Sequence, residues 1–136
     1  CGVYCAEIDI MEANQLAWHS TLHTSHDGIG LGKGFGGGKD LDGPRDWTSA
    51  QYGPGGSCIN TNKPFNVSVS FPLDAQGILQ AMEVTLTQDG GVCPLSVRVD
   101  GYPGMSELTA ALDAGMTPVF SYWSSDDMLW MDGKGA

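Results

Sequence analysis

Cys5-Ala6-Glu7-Ile8-Asp9-Ile10-Met11-Glu12-Ala13-Asn14 is the stretch on which the reading of this chain turns. From Cys5 to Ile10 polar and apolar residues alternate. Successive side chains of a strand point to opposite faces, so Ile8 and Ile10 belong to a buried face and Glu7 and Asp9 to the other. Residues 11 to 18 include good helix formers, and at most a short turn of helix is expected there. Glu12 breaks the alternation, since residues five apart on a flat strand face opposite ways. It joins Glu7 and Asp9 only if one extra residue is inserted, and a β-bulge or kink around Ile10 and Met11 does that.

Further along, Pro64-Phe-Asn-Val-Ser-Val-Ser-Phe71 and Ile78-Leu-Gln-Ala-Met-Glu-Val-Thr-Leu-Thr87 flank the turn residues Leu73-Asp-Ala-Gln-Gly77, which predicts a β-hairpin. A turn centred near residues 74 and 75 brings Cys58 opposite Cys93 at the hairpin's open end, so a disulfide is expected between them. Ser106-Glu-Leu-Thr-Ala-Ala-Leu-Asp-Ala114 reads as a short helix with Ser106 as N-cap. Thr117 to Trp123 and Met128 to Asp132 read as two strands joined by a polar turn at Ser124 to Asp127. The glycine-dense run from Asp27 to Gly43 reads as loop. It is a poor phosphate-binding loop, because Gly32-Lys33 is followed by Gly34 rather than Ser or Thr.

The 136 residues suit one modest domain, and 20 glycines with only 16% charged residues favour a turn-rich all-β chain. A formal net charge of -10 argues against nucleic acid as a partner, while a neutral polysaccharide meets no such repulsion. The acidic residues are scattered, so solubility alone accounts for most of that charge. No stretch approaches the about 18 apolar residues of a membrane span. The N-terminus lacks the pattern of a signal peptide, and a start at Cys1 suggests a fragment. The four cysteines are too dispersed for a zinc site, and disulfides in a secreted protein fit them better.

Two carboxyl groups roughly 5 to 5.5 Å apart are what retaining glycoside hydrolysis requires, one attacking the anomeric carbon and one protonating the departing oxygen. Glu7, Asp9 and Glu12 supply candidates. Asp9 could orient Glu7 by a hydrogen bond, and neighbouring carboxylates raise one another's proton affinity. Glu12, beside the apolar Met11 and Ala13, is expected to have the raised pKa of an acid/base. The bland alternative is a solvated strand face carrying acidic residues.

The string Cys5 to Asn14 resembles the active-site strand of glycoside hydrolase family 7, the cellobiohydrolases and endoglucanases, whose pattern is Cys-x-Glu-x-Asp-x-Trp-Glu-Ala-Asn. The resemblance implies Glu7 as nucleophile, Asp9 as its assistant and Glu12 as acid/base. Met11 stands where the family has Trp, a departure that touches packing behind the site. His23 lies at the spacing of the family's cleft histidine, and Arg45 lies upstream of Tyr52-Gly-Pro-Gly55 as an Arg does in the family. Asn62-Lys-Pro-Phe65 is similar to the family's Thr-Lys-Pro-Phe strand opening. Tyr122-Trp123 and Met128-Leu-Trp130-Met-Asp132 resemble segments whose tryptophans stack on glucosyl rings. His23, Arg45, Trp123 and Trp130 are therefore the expected substrate-binding residues.

The resemblance implies an all-β, concanavalin A-like jelly-roll sandwich, with residues 1–136 forming a single partial catalytic domain from the central and later part of a longer one. It implies that the partners of Cys1 and Cys5 lie upstream. It also implies a secreted monomer acting on β-1,4-glucan such as cellulose, with no cofactor and no metal, and with neither nucleic acid nor membrane as partner. The segment between His23 and Arg45 is shorter than in tunnel-forming relatives, which favours an open cleft and an endoglucanase over a cellobiohydrolase. A β-1,3 or mixed-linkage glucanase and a non-catalytic lectin-like sandwich are the alternatives. His19, His23 and His26 could share a helical face and hold a metal, but Thr24 and Gly28 oppose a sustained helix. Arg45 would otherwise be a surface charge and the tryptophans core. Asn66-Val-Ser68 is a glycosylation sequon, a weak signal inside a strand.

Overall fold

A computed structural model describes residues 4–28, 30, 32–37 and 45–132. Its front sheet is antiparallel, in the order β1 (Glu7–Ala13), β2 (Trp18–His23), β3 (Gly32–Gly37). Two short strands follow, β4 (Tyr52–Gly53) and β5 (Ile59–Asn60), paired in parallel. The back sheet, also antiparallel, holds β6 (Asn66–Ser70), β7 (Ala81–Thr87) and β8 (Leu95–Asp100) in chain order. Helix α1 (Met105–Ala114) and a single turn, α2 (Leu129–Asp132), complete the described elements. Among the described residues no helix is long and apolar enough to cross a membrane.

The two sheets share one apolar core. On β8, Leu95, Val97 and Val99 are buried while Ser96, Arg98 and Asp100 face out, the period-two pattern of a strand with one wet side. Met82, Val84 and Leu86 of β7 lie opposite them in register and are buried too. Trp18 and Leu22 of β2 close the core from the front sheet, with Ile8 and Ile10 packed against it. The architecture is mostly β, in small antiparallel sheets with one short helix, consistent with part of a β-sandwich.

The hairpin at residues 63–87 forms as expected, with Val67 opposite Leu86 and Val69 opposite Val84. Its turn is organised by Asp74, whose Oδ1 accepts from the amides of Gln76 and Ile78, and by Gly77 at φ 81°. Cys58 and Cys93 are bonded, with Cα atoms 4.8 Å apart. Rather than extending the ladder of β6 and β7, the bridge joins the segment leading into β5 to the β7–β8 connection, where Val92 N also donates to Ser57 O.

Asn14 Oδ1 accepts from the amides of Leu16 and Ala17 at 2.7 and 2.8 Å, closing a hairpin turn between β1 and β2 without a helical turn, within the expected limit of at most a short one. Three expectations are corrected. Helix α1 forms, but its N-cap is Gly104 rather than Ser106. Residues 117–123 make no strand, and Phe120 and Tyr122 are fully exposed. The segment is rich in strand-forming residues, but among the described residues it has no neighbour to ladder with. Residues 128–132 are likewise not a strand, because Met131 N folds back to Met128 O as the turn of α2.

Part of the glycine run, expected as loop, is strand β3, which pairs with β2 along Gly32 to Gly37. The glycines on its inner face are required by what packs there. A Cβ on Gly32 would come within 2.9 Å of the Tyr102 ring, and one on Gly36 within 2.6 Å of Trp47 and 2.8 Å of Trp18. Three aromatic rings thus press directly on strand backbone. Residues 38–44 lie outside the described residues, as do Cys1 and the pairing expected for it. Cys5 is an exposed free thiol in this structure.

Candidate active site

The register of β1 on β2 builds the site. Glu7 faces His23, Asp9 faces Thr21 and Glu12 faces His19, while two residues of β1, Ile10 and Met11, stand against Ser20 alone. That is the expected bulge, two residues against one, and it returns Glu12 to the face of Glu7 and Asp9. The carbonyl of Ile10 accepts from Ser20 Oγ at 2.9 Å, and Ser20 Oγ accepts from the indole N–H of Trp18 at 2.9 Å. Both residues are fully buried, so the irregular backbone is held by bonds that water cannot replace. Thr21 Oγ1 donates to Glu12 Oε2 at 2.9 Å, which draws Glu12 toward the strand position of Asp9.

At the other end of the face, Asp9 Oδ2 lies 3.0 Å from Nε2 of His23 and Asp9 also hydrogen-bonds Glu7. Burial pushes the Asp9 carboxyl up to about 7; the charges of Glu12 and Glu7 add to the rise, His23 opposes it, and the bond to Glu7 adds again. Asp9, set between the other two acids, thus has a raised proton affinity. At neutral pH a proton on Asp9 lets it donate to a neighbouring carboxylate.

A pH-dependent stability follows. Folded, Asp9 keeps its proton to about pH 7, whereas unfolded it releases it near 3.8. Between those values the native state binds the additional proton, so the stability Asp9 contributes is full below about pH 4 and is lost as pH rises through 7. Asp9→Asn has no such titration. Relative to wild type, its stability should therefore improve by about 1 to 2 kcal/mol between pH 4 and pH 8, the larger figure implied by the shift being reduced by partial solvent screening. Denaturant midpoints at the two pH values check this, and a difference constant with pH contradicts it.

The second half of the site centres on His19, only 2% exposed. Arg45 donates from one guanidinium nitrogen to His19 Nε2 at 2.7 Å and from the other to Met131 O at 2.7 Å. Arginine can only donate, so Nε2 of His19 is an acceptor here. The Trp130 ring meets the His19 ring edge-on, centroids 5.0 Å apart, and Trp123 stacks on Trp130 at 6.3 Å and 29°. Arg45 thus fastens α2, and with it Trp130, onto the strand position opposite Glu12. Trp123 remains 49% exposed, leaving ring surface on which a flat, weakly polar ligand can stack.

The structure therefore gathers Glu7, Asp9, Glu12 and His23 on one face, with Arg45, Trp130 and Trp123 attached through His19. Among curated proteins, the chain is similar to endoglucanase EG-1 of Hypocrea jecorina, 30% identical over 158 residues that take in 99% of this chain and 32% of the relative. It is a homologue of part of the glycoside hydrolase family 7 endoglucanases. Probable endo-β-1,4-glucanase celB of Neosartorya fischeri is 28% identical, covering 99% of this chain and 39% of its own length. Endoglucanase 1 of Pyricularia oryzae is 29% identical, with 97% and 40% covered. This family 7 homologue thus spans about a third of the length of the first of these relatives. No family model matches the chain, and no solved structure matches it.

Of two residues of this family 7 homologue that shape the site, Thr21 was not singled out from sequence and His19 was weighed only as a metal ligand. The available signal was alternation: His19, Thr21 and His23 share a parity, and once β2 is a strand they must share a face. The helical face considered for His19, His23 and His26 does not exist, since the first two lie on β2 and His26 lies in the turn after it.

Proposed function

We propose that this chain carries the active site of a retaining glycoside hydrolase that cleaves β-1,4-glucosidic bonds in cellulose or a related β-glucan. The observation that carries the reading is the bulge at Ile10 and Met11, which sets Glu7, Asp9 and Glu12 on one surface. Glu7 attacks the anomeric carbon while Glu12 gives its proton to the departing glycosidic oxygen. Water, deprotonated by Glu12, then releases the sugar from the covalent ester on Glu7. Asp9 orients Glu7 through their shared hydrogen bond. His23 positions Asp9, and Trp130 and Trp123 form the stacking surface for glucosyl rings. Arg45 supports that surface by tying α2 to β2.

In this reading residues 1–136 are a single partial catalytic domain of a secreted, monomeric enzyme whose complete fold is a jelly-roll sandwich. Attack within chains is favoured over release from chain ends. The alignments with EG-1 and celB run over 158 and 162 positions against the 136 residues of this chain, so the chain lacks stretches that those relatives possess, as an open cleft with shorter loops would.

A 2-fluoro glycoside of a β-1,4-linked glucan tests the assignment, because it forms the glycosyl ester and stalls there. Mass spectrometry of the treated protein should find the label on the peptide containing Glu7. Retained glucan binding with no label anywhere would favour a lectin-like role, and turnover of β-1,3 but not β-1,4 substrates would move the specificity.

A further inference from the structure

We infer that Tyr102 and Asp27, which clasp the turn beyond β2, form a positioning device that dictates which nitrogen of His23 carries a proton and so how His23 addresses Asp9. The bearing of this on catalysis rests on the active-site reading above. The device itself follows from hydrogen-bond geometry.

His23 Nδ1 lies 3.1 Å from the backbone carbonyl oxygen of Asp27. A carbonyl can only accept, so Nδ1 carries hydrogen. The opposite tautomer would set two lone pairs against each other at that distance. Nε2 is then left to Asp9 Oδ2, 3.0 Å away, and one proton lies between a ring nitrogen and a carboxyl oxygen. Fixing Nδ1 therefore fixes the role of Nε2, the way a second hydrogen bond sets the working nitrogen of many functional histidines.

The carbonyl that makes this choice is held from three sides. Asp27 N donates to Thr24 O at 3.1 Å, closing the turn. The Asp27 carboxylate accepts from Gly30 N at Oδ1 and from the Tyr102 hydroxyl at Oδ2, each at 2.9 Å. The same Tyr102 oxygen accepts from Thr24 N at 3.0 Å. Tyr102 is itself buried against the bare backbone of Gly32. Gly30 seals the other side: at φ 72° its backbone passes so close that a Cβ there would come within 2.6 Å of the His23 ring. Among the described residues, the ionisable groups around His23 are Asp9 and Glu7 from β1, and Asp27 with Tyr102 behind it. The charge of His26, in the same turn, is felt by Glu107 of α1.

Tyr102→Phe removes one hydroxyl and with it both bonds to the turn, while keeping the buried ring. The tautomer is read from nitrogen-15 chemical shifts of the His23 ring in the protein as it is produced, across a pH series. Wild type is expected to show hydrogen on Nδ1 throughout. Tyr102→Phe should show a mixture of tautomers and a displaced titration. In hydrolysis, kcat should fall with KM within about twofold, and the pH profile of kcat/KM should move by about half a unit or more. Asp27→Asn, which keeps an acceptor for Gly30 N but none for the tyrosine hydroxyl, should behave alike and serves if the first variant does not fold. A wild-type ring with hydrogen on Nε2 alone overturns the inference, as does an unchanged tautomer and titration in either folded variant. Absence of glucan hydrolysis in wild type would instead count against the active-site reading, and the nitrogen spectra would still decide the clasp.

Discussion

Glu7→Gln is expected to lower hydrolysis of a β-1,4-glucan by at least about a thousandfold, because the amide cannot form the glycosyl ester on which double displacement depends. Binding of a cello-oligosaccharide should stay within about threefold of wild type, since Gln keeps the shape of Glu and the stacking surface at Trp123 and Trp130 lies toward the far end of the face. Single-turnover kinetics and calorimetric titration separate the two effects. A variant turning over at a comparable rate would remove Glu7 from the role of nucleophile. A variant that lost binding and turnover together would show Glu7 to be a substrate anchor instead.

Removal of the Cys58–Cys93 bridge by the double substitution to alanine should destabilise the fold by about 4 kcal/mol, the loop-closure value for a separation of 35 residues. Against the roughly 5 to 15 kcal/mol available to a typical domain, this is a large share. The effect has a local basis as well. Cys58 is fully buried, and Gly91 passes so close that a Cβ on it would lie 2.3 Å from the Cys58 carbonyl oxygen. The bridge holds the β5 segment against the turn from β7 to β8, and Tyr52, paired with β5, in turn donates from its hydroxyl to Asn14 O. Denaturant unfolding with and without reductant measures the loss. A change under about 1 kcal/mol would show that the contacts around the bridge suffice alone.

The parts of this chain legible in its sequence are those whose signal is local. Alternation at residues 5 to 10 identified β1, and the odd spacing from Glu7 to Glu12 required the bulge that the register shows. Turn residues around Asp74 and Gly77 marked the hairpin, and its symmetry brought the two cysteines together. What stayed hidden depends on distant partners. Strand β3 has no side-chain alternation to detect on its glycine face, and only the rings of Trp18, Trp47 and Tyr102 explain why bare backbone is needed there. Residues 117–123 carry strand-forming residues, yet composition supplies no ladder partner. The roles of His19 and Arg45 were out of view for the same reason: their bond joins residues 26 apart, and its purpose emerges only when Trp130 is seen resting on the imidazole. Within the site, the sequence pointed to three acids, and burial between the other two raises the proton affinity of Asp9.

Because Ile10 and Met11 together oppose Ser20, the placing of Glu12 relative to Glu7 is encoded by chain length and not by side-chain identity. Substitution at either position can alter fit, but loss of one codon would carry Glu12 through half a revolution, into the apolar layer beneath. Glu7, Asp9, His23 and the tryptophans would remain, so in the proposed mechanism the surface would still hold sugar with nothing left to protonate the bond. Under the proposed function, a frame-preserving deletion of one residue is thus the shortest genetic route from a cutting protein to a merely adhesive one.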